Sequence, residues 1–177
     1  MKEEIIMAGA GGQGIMFAGT LLAHAAMEEG LNVTYFPSYG AEMRGGTANC
    51  NVIISDENIG SPIVTNPSTL LAMNESSLER FTAKVRRGGL IVANSSLLKR
   101  KIKIDDVEIL KIPATELAEK LGDSRVANMV ILGAYINKKK VVSLERAMDS
   151  LSKVLGEGKK RLLRLNREAL RKGEEYR

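Results

Sequence analysis

Residues 8–19, AGAGGQGIMFAG, constrain this chain more than any other stretch. Gly9, Gly11 and Gly14 stand at G-x-G-x-x-G spacing. The apolar run of residues 4–8 precedes them and reads as a short buried strand. A helical pattern follows over residues 13–29, with Ile15, Ala18, Leu22 and Ala25 recurring at three- and four-residue steps. Glycines let a backbone turn tightly from strand to helix and let a ligand come close. The helix N-terminus offers free N–H groups that suit a phosphate or a carboxylate. Gly30 is placed to end the helix, and residues 32–36 read as a second strand. This β-turn-α-β opening predicts an α/β fold: three layers, a mostly parallel sheet and a Rossmann-like glycine turn.

The turn admits four readings. A dinucleotide site needs an Asp or Glu at the end of the second strand to hold the ribose. Residues 34–38, TYFPS, supply neither an acid nor an Arg for a 2′-phosphate. A P-loop is excluded, because no Gly-Lys-Ser/Thr follows the turn. What remains is an anion site of another kind, or a turn that only packs helix on sheet.

A second glycine-rich stretch, residues 37–47, follows the second strand and reads as a loop. It carries Tyr39, Glu42 and Arg44 among Gly40, Gly45 and Gly46. It should emerge at the same sheet edge as the first turn, the edge where open α/β sheets bind ligands. Arg44 facing an anion or a partner subunit stands beside a plain Glu42–Arg44 ion pair as its two readings.

Further strands are expected at residues 48–55, 69–73, 90–93 and 107–112. Helices are expected after Asn74 or Ser76 as far as about Val85, over 113–121 with Thr115 as a candidate cap, and over 143–155 and 158–172. Residues 125–137, RVANMVILGAYIN, are apolar nearly all round, which predicts a helix buried on most sides. The C-terminus is therefore helical. No linker or repeat divides the chain, so residues 1–177 are expected to form one domain.

Composition narrows the chemistry. Cys50 is the only cysteine and His24 the only histidine. A self-contained zinc or iron–sulfur site needs several such ligands, so no metal site is expected. Cys50 reads as a small buried hydrophobe and His24 as a polar surface residue. Residues 1–155 carry 18 basic and 17 acidic groups, residues 156–177 carry 8 and 4. The basic excess belongs to the C-terminal helix and comes with no nucleic-acid-binding motif. No apolar run approaches the roughly 20 residues of a membrane span, and the N-terminus has no signal-peptide pattern. The expected setting is cytoplasmic, away from membrane and nucleic acid.

Three stretches together carry a resemblance: GAGGQGIMFAGTLLAHAAMEEG, then PSYGAEMRGGTANCNVIIS with IGSPIV, then IPATELAEKLGDSRVANMVILGAY. They are similar to the gamma subunit of the 2-oxoacid:ferredoxin oxidoreductases, above all its 2-oxoglutarate branch. The likeness covers nearly the whole chain. It implies an oxidoreductase of several subunits that turns a 2-oxoacid and CoA into acyl-CoA and CO2 and reduces ferredoxin. It implies thiamine diphosphate, magnesium and iron–sulfur clusters held by the other subunits, with CoA as co-substrate. The implied partners are alpha and beta, and in some members delta, subunits, and ferredoxin. No catalytic residue is implied on this chain, which alone should be silent. By the same resemblance, Gly9, Gly11, Gly12, Gln13 and Gly14 would receive CoA phosphates. Tyr39, Gly40, Glu42, Arg44, Gly45 and Gly46 would lie at an interface or the active-site edge. Fused pyruvate enzymes of the family carry a Lys in the first helix where this chain has Thr20. A stand-alone nucleotide- or CoA-binding protein, and a gamma subunit serving pyruvate or branched-chain 2-oxoacids, are the other readings.

Overall fold

The computed structural model describes residues 1–39, 47–99, 104–156 and 160–176. Six strands form one sheet: β1 (Lys2–Ala10), β2 (Asn32–Tyr39), β3 (Thr47–Ser55), β4 (Thr69–Ala72), β5 (Gly89–Asn94) and β6 (Val107–Ile112), in the order β2-β3-β1-β4-β5-β6. β1, β4, β5 and β6 pair in parallel, while β3 runs antiparallel to both of its neighbours. β2 therefore points the same way as β1, one strand removed from it. The six helices are α1 (Ile15–Glu28), α2 (Glu75–Phe81), α3 (Ala114–Lys120), α4 (Ala127–Lys139), α5 (Leu144–Leu155) and α6 (Lys160–Glu174).

Alternation along the strands divides the core in two. Ile5, Met7, Cys50, Val52, Leu71, Val92 and Ile112 face a cluster built with α1, α3, α4, α5 and α6. Ile6, Ala8, Ile53, Leu70, Ala72, Ile91 and Ala93 face the other way, against Leu78 and Phe81 of α2 and Val64 and Val85. The two outer layers are unequal: five helices against one short one. α4 explains its own sequence. Every residue from Ala127 to Ile136 is buried, because α4 touches β4 and β5 and is covered in turn by α6. Contact between α4 and α6 is close enough to need glycine on both: a Cβ on Gly133 would fall on the Leu170 carbonyl, and one on Gly173 on that of Val130.

Local chemistry sets the ends. α1 closes in a Schellman motif, with Gly30 (φ +79°) donating to the Met27 carbonyl and Leu31 to that of Ala26. Asn74 caps α2, its Oδ1 accepting from the Ser77 N–H at 2.9 Å. α2 stops at Phe81 and continues as a 3-10 turn, short of Val85. Thr115 does not cap α3. Its hydroxyl accepts from Asn94 Nδ2 at 2.8 Å, and Asn94 Oδ1 receives the N–H groups of Ala114 and Thr115. The cap thus comes from the end of β5. The expected loop of residues 37–47 is also shorter. β2 runs through Pro37 to Tyr39, as an edge strand permits, because proline's missing N–H goes unused there.

Candidate functional site at the carboxyl edge of the sheet

From β1 the chain crosses through α1 to β2 on one side, and from adjacent β4 it crosses through α2 to β5 on the other. The two crossovers leave on opposite faces. The carboxyl ends of β1 and β4 therefore flank a topological switch point, where open α/β sheets form their ligand crevice. The glycine turn follows β1 directly into it.

The turn is braced through one side chain. The Ala10 N–H donates to Gln13 Oε1 at 2.7 Å, the Gln13 N–H donates to the Ala10 carbonyl at 3.1 Å, and Asn74 Nδ2 reaches Gln13 Oε1 at 3.3 Å. Gln13 thereby ties the end of β1 to the start of α2. Gly9 is the close-approach glycine, since a Cβ there would lie 2.6 Å from Gln13 Oε1 and 2.8 Å from Ile15 Cδ1. Gly11 sits partly buried within the turn. Gly12 (φ +92°) is exposed, with open space where a Cβ would stand. Gly14 (φ +71°) is the N-cap of α1, and its carbonyl accepts from Asn128 Nδ2 at 2.9 Å. A Cβ on Gly14 would strike that amide.

Beside the turn lies a pocket of about 180 Å³, lined by Gly12, Gln13, Met73, Leu97, Thr115, Ser124, Arg125 and Ala127. Arg125 is held by Asp123, with Nε at 2.9 and 3.1 Å from the two carboxylate oxygens and Nη2 at 2.6 Å. The pairing sets the Asp123 carboxyl at about 2, below its ordinary range, through hydrogen bonds from Arg125.

Of the residues flanking the second glycine stretch, Thr47 pairs with Ala10 at the end of β1, and Tyr39 pairs with Ala48, one strand further out. Gly40, Glu42, Arg44, Gly45 and Gly46 lie outside the described residues, as does the side chain of Tyr39. The strand order also bears on the dinucleotide reading. The neighbour of β1 on that side is antiparallel β3, and Thr47 occupies the place next to the turn. The end of β2 is displaced by one strand and has no acid in residues 34–38.

The metal-ligating side chains are few and scattered among the described residues. Cys50 is fully buried behind α1, its thiol pushed up to about 12 by burial and directed at the Ile15 carbonyl. Among the described residues, no three His, Cys, Asp or Glu side chains come together as a metal site, and none of the helices is long and apolar enough to cross a membrane. Nothing in this donor set matches an iron–sulfur cluster or a magnesium–diphosphate site. His24 is a partly buried residue of α1, far along the helix from the turn. Thr20 lies in the second turn of α1.

Sequence reasoning overlooked Asn94, Asn128 and Arg125. Asn128 had a signal, as a polar residue inside an apolar helical run. Asn94 had none, because it acts on a segment distant in sequence, and Arg125 is singled out only by the pocket it lines.

The sequence profile described as pyruvate ferredoxin/flavodoxin oxidoreductase matches residues 4–176. The chain belongs to this family. It is 37% identical over 175 residues to the ketoisovalerate oxidoreductase subunit VorA of Methanothermobacter thermautotrophicus, covering 99% of this chain and 36% of that one. It is 37% identical over 158 residues to the 2-oxoglutarate synthase subunit KorC of Methanothermobacter marburgensis, covering 85% of both. The chain thus spans about a third of the VorA relative and most of the KorC one. The gamma subunit of a keto/oxoacid ferredoxin oxidoreductase from Geobacter sulfurreducens superposes with a TM-score of 0.85 at 32% identity, over 99% of this chain and 95% of that one. The 2-oxoglutarate:ferredoxin oxidoreductase from Magnetococcus marinus, solved with 2-oxoglutarate, coenzyme A and succinyl-CoA bound, gives 0.89 at 28% identity, over 98% of this chain and 30% of that one. The chain is a gamma-type member of the family, with that subunit's α/β fold.

Proposed function

We propose that this chain is the gamma subunit of a 2-oxoacid:ferredoxin oxidoreductase acting on 2-oxoglutarate, and that its glycine turn receives a phosphate of CoA. The observation that carries the reading is a gamma-type fold whose glycine turn opens onto a pocket at the switch point of the sheet. Such a chain does its work by binding and positioning. Support for 2-oxoglutarate comes from the KorC relative, a 2-oxoglutarate synthase subunit that is 37% identical over 85% of both chains.

The chain's own contribution to the reaction is orientation. The turn lies at the switch point between β1 and β4, opens onto a pocket, and has no side chain at Gly12 to bar an approaching group. α1 begins there with no acid in its first turn, so its N–H groups present positive charge to an anion. CoA held by its phosphates would extend its thiol toward chemistry carried out on other subunits. Thiamine diphosphate, magnesium and the clusters belong to those subunits in this reading, with ferredoxin taking the electrons. Tyr39, Gly40, Glu42, Arg44, Gly45 and Gly46 form the subunit-facing rim, and the complex works in the cytoplasm.

Reconstitution tests this. The chain alone, given thiamine diphosphate, magnesium, CoA, 2-oxoacid and a viologen dye, should reduce no dye. Adding the partner subunits should restore reduction with 2-oxoglutarate in preference to 2-oxoisovalerate and pyruvate. Dye reduction by the isolated chain would refute the subunit role. A reconstituted enzyme that prefers 2-oxoisovalerate would refute the substrate assignment and leave the role standing.

A further inference from the structure

Among the described residues, the pocket beside the glycine turn has a lining of one cation and no carboxylate. That cation, Arg125, is the group that the functional reading has not yet used. Asp123 engages it on one edge only: Nε and Nη2 both face the carboxylate. Nη1 makes no hydrogen bond among the described residues. A guanidinium is planar, so fixing one edge fixes the direction of the other donors. The Asp123 carboxylate also accepts from the Arg125 backbone N–H at 3.0 Å, which locks the short 3-10 turn carrying both residues. Arg161 of α6 stands near enough to Asp123 to favour its charged form. Arg125 pairs directly with this carboxylate, and Arg161 lies within electrostatic reach of it. The remaining polar lining is uncharged: the backbone of Gly12, the Gln13 amide, and the hydroxyls of Thr115 and Ser124. A guanidinium with hydroxyls and a glycine backbone is a donor set for phosphate oxygens.

We propose that Arg125 is a phosphate-binding residue of this pocket, oriented by Asp123, and that it takes the 3′-phosphate of CoA. This rests on the CoA reading given above. The diphosphate of CoA carries its charge on bridged groups that the turn's backbone can meet. The 3′-phosphate is a terminal, doubly charged monoester, the stronger partner for a guanidinium fork. Asp123 is a positioning residue that never touches the ligand.

The assembled enzyme is assayed with CoA and with dephospho-CoA, which lacks only the 3′-phosphate. Arg125→Gln should raise the KM for CoA about tenfold to a hundredfold, the range expected for losing a charged hydrogen bond. It should leave the KM for dephospho-CoA and for the 2-oxoacid unchanged, so that discrimination between the two thiols collapses. Arg125→Lys should recover part of the preference, as charge without the fork. Equal effects of Arg125→Gln on both thiols would assign Arg125 to the diphosphate or to folding and overturn the proposal. No effect on either would overturn it too. The companion variant Gly14→Ala separates the two levels. If it raises the KM for CoA while Arg125→Gln does not, the CoA site stands and Arg125 is not part of it. If neither variant alters the KM for CoA, the CoA reading itself fails.

Discussion

Gly14→Ala perturbs the turn in two separable ways. The residue sits at φ +71°, where an L side chain costs about 1–2 kcal/mol. Its new Cβ would also strike the Asn128 amide, which donates to the Gly14 carbonyl at 2.9 Å. Asn128 is only 4% exposed, so a displaced amide loses its partner without gaining water. Leaving such a group unpaired costs about 1–3 kcal/mol. The two effects together predict a loss of about 2–5 kcal/mol.

Gly12→Ala is the control. Gly12 lies at φ +92° with open space around its Cβ position, so only the backbone effect of about 1–2 kcal/mol applies. Urea denaturation followed by circular dichroism measures both variants. Asn128→Ala then closes a double-mutant cycle. With the amide gone, Gly14→Ala should cost no more than Gly12→Ala. Strict additivity of Gly14→Ala and Asn128→Ala, or a Gly14→Ala loss no greater than that of Gly12→Ala, would refute the contact as the reason for glycine.

Other expectations follow from the same structure. Gly133→Ala and Gly173→Ala should each gain about 1 kcal/mol of helix propensity, yet both should destabilise by about 1–3 kcal/mol or more, because the added methyl meets backbone across the α4–α6 contact. Thermal melts that rise would show this contact to be looser than described. The Asp123 carboxyl, held at about 2 by Arg125, lends stability that is full above its unfolded value near 4 and is lost as pH falls through about 2. A carbon NMR titration should find that midpoint, and Arg125→Gln should move it up toward the ordinary range. Cys50, pushed up to about 12 by burial, should ignore a disulfide reagent at pH 8 until urea unfolds the chain. Its contribution to stability is complete below its unfolded value near 8.5 and is lost as pH rises toward 12, so prompt labelling of native protein would contradict its burial.

What was legible in the sequence was local. The glycine turn, α1 and its Gly30 stop depend on backbone conformations that glycine alone adopts easily, so residue type reveals them. Burial of α4 was legible because an all-round apolar pattern leaves no solvent face. The cap of α3 was not. Its sequence offers Thr115, and the actual acceptor, Asn94, comes from about twenty residues upstream. Arg125 was illegible for a related reason. Its relevance comes from sharing a pocket with Gly12, which lies more than a hundred residues away.

Strand order was the most consequential gap, because apolar runs do not say which strand lies beside which. A β-turn-α-β opening suggests that β2 pairs with β1. Here β3 lies between them, antiparallel to both. The insertion removes the dinucleotide option by topology as well as by residue type. An acid at the end of β2 would stand a strand too far away, about 4.8 Å further along the sheet than the usual neighbour. The same insertion keeps the switch point between β1 and β4 intact, the place where open α/β sheets form a ligand crevice. It also returns the chain to that crevice, since Thr47 pairs with Ala10. One antiparallel strand thus replaces the neighbour that would carry a nucleotide clamp with one whose first residue, Thr47, lies beside the glycine turn. In the proposed function, that edge is the one another subunit completes, so the ligand is shared between chains.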